Sequence, residues 1–442
     1  MSHLASTTME MIMRNIRWLL PVSVAAVASM GLAACTAEGS GNNPTASGES
    51  ADAVTLEFVQ WWEPELPDGS FRALMDQFEE QNPGIKVKLL SGPYASTKEQ
   101  LIAASASGTM PDVVGLDGAW VSDFSKQGAI ADLSEMMSNN NYDESQLASQ
   151  IKIDGSTYMI PVVNFVYPMF ANTALLEQAG VSAIPSNRSE FEDAAKKIHA
   201  VSPDISGWAL PLSLETPNGI QNDVMSWVWA SGGSMLTDDG KPNVTNEDVR
   251  SAIEYIKGLW DAGVISPGAF TMKEQDKVED FTNGRVGFMI DSLAHINTIR
   301  EGNPDLTFEI SAIPAQDGYT GERGMPYASW GIGVSANSQH PKEAWKLVEF
   351  LMSQDINSAL ANDAKAFPGN AQAVPAFVND DELFKKAFDI WSSGQPANEF
   401  TGLPVAETLM REFDEPFQRY LNGETDADTM LKGVQDSWME KF

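Results

Sequence analysis

From residue 54 onward the chain alternates short apolar runs with amphipathic stretches, and that alternation confines it to an α/β architecture. Residues 54–59 alternate in hydrophobicity and are β-branched enough to read as a strand. Phe71, Leu74, Met75 and Phe78 fall at i, i+3, i+4 and i+7, which predicts a helix over 69–81, stopped by Asn82-Pro83-Gly84. Residues 85–90 give a second strand, 96–107 a second helix and 112–116 a short buried strand. This β-α-β-α-β order predicts a parallel sheet with helices on its faces.

The second half keeps the alternation and is richer in helix. Residues 189–201 and 246–262 read as helices. The latter puts Val249, Ile253, Ile256 and Trp260 on one face, and Thr245-Asn246-Glu247-Asp248 reads as a capping-box start. Residues 286–290 and 330–334 read as strands. Pro341 opens a helix with Ala344, Leu347, Val348 and Leu351 inward. No internal repeat or heptad pattern is present. Residues 54–442 exceed one ordinary core, which predicts two domains.

Upstream, Arg14 and Arg17 precede an apolar run over 18–30, too short for a spanning helix of about 20 residues. The run leads to Leu32-Ala33-Ala34-Cys35, and Cys35 is the single cysteine of 442 residues. A positive end, a short apolar core and small residues form a secretory signal. A lone cysteine cannot close an internal disulfide. It reads either as a spare thiol or, with the small residues before it, as the acylated cysteine of a bacterial lipobox. Residues 1–34 are therefore expected to be a lipoprotein signal, with an initiator at Met1, Met9, Met11 or Met13. Residues 35–53, rich in Gly, Ser, Asn, Thr and Ala, are expected to be a flexible tether.

The formal net charge of −33 repels phosphates, which argues against a nucleic-acid partner. Enzyme signatures are sparse. His3, His199, His295 and His340 have no second His or Cys at ligand spacing, so no metal site is expected. No nucleophile elbow or P-loop occurs. Gly331-Ile332-Gly333-Val334-Ser335-Ala336 mimics a dinucleotide fingerprint, but four residues separate it from the helix that should open on it. A glycosidase needs only two placed carboxyls, and 61 acidic residues leave that alternative open.

Aromatic placement is more informative. In open α/β sheets, ligands sit beyond the carboxyl ends of the strands. The first strand runs into Trp61-Trp62-Glu63, and the third into Asp117-Gly118-Ala119-Trp120. Both put an indole and a carboxylate at one rim. A sugar offers C–H faces to the first and hydroxyls to the second. For either Trp alone, core packing is as good a reading.

Four stretches resemble the extracellular solute-binding proteins of ABC importers, in the sugar-binding, maltose-binding-like branch. They are Ser107 through Val114, Ile160-Pro161 with Phe170 through Gly180, Ser231-Gly232-Gly233 with Leu236 through Lys241, and His340 through Leu351. The resemblance covers nearly all of 54–442. It implies a two-lobed periplasmic-binding-protein-like fold with a hinge and a ligand cleft. Residues 54–163 with 332–368 would form the N-terminal lobe, and 164–331 with 369–442 the C-terminal lobe, with crossings near Val163, Trp330 and Pro368. Strand-end placement makes Trp61 and Trp62 candidate ligand contacts, and the resemblance implies contacts from Glu63, Asp117 and Trp120 on the first lobe. Asn164 and Phe165 fall at the crossover, where relatives often carry an acid. Asn222 and Asp223 fall near a second-lobe contact. Asp291 and Ser292 stand where relatives have a Gly-x-Trp turn, so stacking would come from Trp330, which a hinge-packing role suits equally. The expected protein is a monomeric, non-enzymatic sugar receptor without cofactor, serving the permease of an ABC importer. It would be held by a lipid on Cys35 at the outer face of the cell membrane, or on the periplasmic side in a Gram-negative cell. A secreted glycan hydrolase, or the same fold binding a polyol or peptide, are the alternatives.

Overall fold

The computed structural model describes residues 53–442. The signal segment, Cys35 and all but the last residue of the tether lie outside them.

The first sheet takes β1 (Val54–Gln60), β2 (Ile85–Ser91), β3 (Val113–Leu116), β4 (Ile151–Ile153) and β5 (Ser156–Val166). The second takes β6 (Met169–Asn172), β7 (Ser206–Trp208), β8 (Val286–Ile290) and β9 (Phe308–Ser311). A two-residue pairing joins β10 (Gly324–Met325) to β13 (Gln395–Pro396), while β11 (Tyr327–Val334) and β12 (Phe367–Pro368) return to the first sheet. The first sheet runs β12-β5-β11-β3-β1-β2, with β4 beside β5; the second runs β7-β8-β6-β9. The two sheets, each with its own helices, give the expected two-lobed α/β fold.

The expected parallel set holds for β1, β2 and β3. The sheet as a whole is mixed, because β11 returns from the second sheet and pairs antiparallel with β3 and β5, and β12, reached from β11 through helices Pro341–Leu351 and Gln354–Ala364, pairs antiparallel with β5. Trp330 and Pro368 both stand opposite Val163 in this pairing. The chain leaves the first sheet after Val166, passes Tyr167-Pro168 and enters the second at Met169. Tyr167 N–H donates to the carbonyl of Pro326, just before the returning strand β11, at 3.0 Å.

The helices follow their apolar stripes. Helix Ser70–Gln81 buries Phe71, Met75 and Phe78 and ends before Gly84, whose φ of +100° few other residues adopt. Helix Tyr94–Ser107 starts two residues before its expected position, directly after Pro93. Helix Glu247–Asp261 buries Val249, Ile253 and Ile256, but its cap is Asn246, which accepts from Val249 N–H at 2.9 Å. The expected capping box does not form there, because a valine at the third helical position has no acceptor to offer in return. The Gly-x-Gly of 331–333 lies inside β11. A Cβ on Gly331 would come within 2.1 Å of Met159 Cε, so this glycine serves strand packing. Among the described residues no helix is long and apolar enough to cross a membrane.

Candidate functional site

The ends of β1 and β3 meet, as their parallel pairing requires. Trp61 lies edge-on to Tyr94 (centroids 5.3 Å) and tilted against Trp120 (5.3 Å), and Tyr94 and Trp120 are 4.9 Å apart. Asp117 opens the short turn Gly118–Trp120 and accepts from Ala119 N–H at 2.8 Å. The turn has no room for a side chain at 118, where a Cβ would sit 2.7 Å from Thr401 Cγ2. Burial pushes the Asp117 carboxyl up, with Glu407 adding to the effect, while Ala119 N–H, Tyr94 and Lys98 oppose it. Lys98 lies 5.9 Å from the Trp120 ring centroid and bridges to Glu407 at 2.5 Å.

The carboxyl ends of β7 and β8 belong to the second sheet. Asp291 follows β8 directly and is fully buried. Lys277, also buried, reaches Asp223 at 3.2 Å and Asp291 at 3.4 Å, and donates to the Ile290 carbonyl. His295 Nδ1 meets Asp291 Oδ1 at 2.5 Å. Dehydration opposes charge on His295, but Asp291 and Glu274 outweigh it and raise its pKa to about 9. Burial raises Asp223 to about 8 despite Lys277. Burial would raise Asp291 too, but Lys277 and His295 hold it below the usual range. Burial also lifts Glu274, next to Asp291. A cavity of about 160 Å³ adjoins this cluster, lined by Asn218, Asn222, Asp223, Glu274 and Lys277 among others.

Two residues tie the ends of the sheets together. Tyr167, at the crossing, is buried; dehydration raises its pKa first, and then the charges of Glu274, Asp291, Asp117 and Asp223. One hydroxyl thus lies within electrostatic reach of carboxylates from both sheets. Glu65, two residues past Glu63, keeps an exposed surface but is largely surrounded by protein. This dehydration raises it to about 7, and His295 pulls it back.

The remaining expected residues have varied positions. Glu63 accepts from the Ser91 hydroxyl and holds its own N–H on Gln60 Oε1 at 2.9 Å. Trp62 is 0% exposed and stacks on Trp330 (5.7 Å, interplanar 6°), inside the hydrophobic core. Phe165 lies edge-on to Trp330 at 5.1 Å. Asn164 is fully buried beneath β12, its Nδ2 3.5 Å from the Pro368 carbonyl. Asn222 lines the cavity, and Ser292 N–H donates to Asp291 at 2.6 Å. Tyr94, Tyr167, Glu65, Glu274, Lys277 and His295 were not foreseen.

Glu274, Asp291 and His295 each bring one ligand atom to within 4.8 Å of the others, the one such group among the described residues. Lys277 and the His295 ring already serve as its cations, so the set needs no metal to balance it.

The chain resembles a binding protein of Brucella abortus, 28% identical over 71% of this chain and 76% of that one. It is 22% identical to the galactooligosaccharide-binding protein of Bacillus subtilis, over 92% and 93% of the two chains. The crystal structure of a cyclic α-maltosyl-1,6-maltose binding protein from Arthrobacter globiformis superposes with a TM-score of 0.75 at 19% identity, covering 88% of this chain and 98% of that one. The model of the bacterial extracellular solute-binding protein family matches residues 63–357, and the chain belongs to that family.

Proposed function

We propose that the protein is a carbohydrate receptor, favouring oligosaccharides, that delivers its ligand to the permease of an ABC importer. The observation that carries this reading is the Trp61–Tyr94–Trp120 cluster beside Asp117, at strand ends of one sheet, in electrostatic reach of the polar cavity of the other. Aromatic faces suit sugar C–H surfaces, and carboxylates and amides suit hydroxyls. The family membership and the named ligands of its relatives support it. Residues 54–163 with 332–368 are the proposed N-terminal lobe and 164–331 with 369–442 the proposed C-terminal lobe, closing on ligand about β5, β11 and β12. Trp61, Asp117, Trp120, Asn222 and Asp223 are the proposed contacts. The receptor works without catalysis, as a monomer. It is exported and tethered outside the cell by acyl chains on Cys35, and several chains on one residue satisfy the need for more than one.

A thermal-shift screen of the purified protein against neutral oligosaccharides, monosaccharides, polyols and peptides tests the reading. Stabilisation by oligosaccharides, without release of reducing ends on incubation, is expected. Stabilisation by peptides alone, or glycan cleavage, would replace it.

A further inference from the structure

Between β13 and the helix Ala406–Leu421 the chain reaches from the proposed C-terminal lobe to the N-terminal one and back. At its start, Ala397 N–H donates to the carbonyl of Met325 at 2.7 Å, and Glu399 accepts from Trp229 Nε1 and Met235 N–H, both at 2.8 Å. Beyond its end, Arg411 Nε and Gln418 Nε2 donate to the carbonyls of Leu214 and Leu212 at 3.0 and 2.7 Å. All these partners belong to the proposed C-terminal lobe. The middle engages the strand ends of the first sheet instead. Gly402 N–H donates to the Gly118 carbonyl at 3.0 Å, Val405 N–H to Asp123 Oδ1 at 3.3 Å, and Glu407 meets Lys98 at 2.5 Å. Residues 401–407 are thus a strap, fixed at both ends to one side and pressed by its middle on the other.

The strap presses on the aromatic platform. Thr401 packs against the turn Gly118–Trp120, and Lys98, held by Glu407, stands 5.9 Å from the Trp120 ring centroid. Trp61 and Trp120 are each 3% exposed, so a sugar ring cannot stack on them until something moves away. We propose, building on the receptor reading, that residues 401–407 are an autoinhibitory strap, latched by Lys98–Glu407 over the Trp61–Tyr94–Trp120 platform, which glycan must displace to bind. The latched molecules then lower the apparent affinity in proportion to their share of the population. Two features keep the latch weak enough for a ligand to open. Val405 holds φ at +42°, a left-handed conformation in which a β-branched side chain is strained. Lys98 and Glu407 are both part-exposed, and solvent-screened pairs of that kind hold only weakly.

The test titrates the tightest oligosaccharide of the thermal-shift panel. Lys98→Glu and Glu407→Lys each break the latch and should tighten binding about two- to fivefold in calorimetry. The two together restore the pair with its charges exchanged and should return the affinity to the wild-type value. Melting temperatures confirm that the variants are folded. Hydrogen exchange of the wild type, read by mass spectrometry, needs no variant: residues 401–407 should lose protection when the oligosaccharide is added. Single variants that bind equally or more weakly, or a segment that gains protection with ligand, overturn the inference and leave the receptor reading standing. No binding by wild type or variants across the panel overturns both.

Discussion

Replacing Trp62 by alanine separates packing from recognition at the rim of the first sheet. Its indole is 0% exposed, stacked on Trp330 and edge-on to Phe58 (5.4 Å, 87°) and Phe71 (5.8 Å, 69°). Its Nε1 has no hydrogen-bond partner, so truncation removes apolar packing alone. Large aromatic truncations in cores cost about 3–5 kcal/mol. For a folded unit of roughly 390 residues, an unfolding entropy of about 2.1 cal/mol/K per residue gives ~0.8 kcal/mol/K. A loss of about 4 kcal/mol then lowers the melting temperature by about 5 °C. Differential scanning calorimetry without ligand measures this, and a titration well below the transition measures affinity. The expected result is the thermal loss with affinity kept within about threefold. An unshifted melting temperature with affinity lost would refute the packing argument and make Trp62 a ligand contact.

Other perturbations have equally definite outcomes. Trp120→Ala should weaken glycan binding by about 2 kcal/mol, roughly thirtyfold, in calorimetry. Lys277→Met strands buried Asp223 and Asp291 and should cost about 3–5 kcal/mol in urea unfolding; adding Asp223→Asn should recover part of that. Asp414 is buried with Oδ2 unpartnered, and burial raises it to about 7 while Gln418 and Arg411 oppose. The folded state therefore holds a proton that the unfolded state has released between about pH 4 and 7, so this group's contribution to stability falls as pH rises through that window. Asp414→Asn should remove that part of the slope and raise stability at pH 8, read from urea midpoints. Cys35→Ala should release the protein from membranes, and mass spectrometry of the membrane-extracted wild type should find acyl chains on Cys35; a free thiol there would end the anchoring proposal.

Local pattern was enough for the first three strands and for the helices with a single apolar stripe, such as Ser70–Gln81 and Pro341–Leu351. The crossings near Trp330 and Pro368 were legible only through the family resemblance, and the antiparallel pairing made there was not foreseen, because pairing between residues some 160–205 apart leaves no local periodicity. The rim Trp residues were visible as a group, yet adjacent residues on a strand end point to opposite sides. All three indoles are buried, but Trp61 packs with Tyr94 and Trp120, whereas Trp62 packs on Phe58, Phe71 and Trp330. Lys277 sits in a charged run, Lys273 to Asp280, that reads as a solvated face. A signal was present there: Lys277 shares a helix face with Phe281, and Glu274 precedes it by three residues. Tyr94 and Tyr167 had no such signal, since a single tyrosine at a helix start or a crossing looks like ordinary packing.

The most direct measurement is a crystal structure of the protein with the tightest glycan of the panel. The account predicts a sugar ring against the Trp61–Tyr94–Trp120 cluster and polar groups directed at Asp117, Asp223 and Glu274. A glycan bound elsewhere, with these side chains unchanged and untouched, would contradict it.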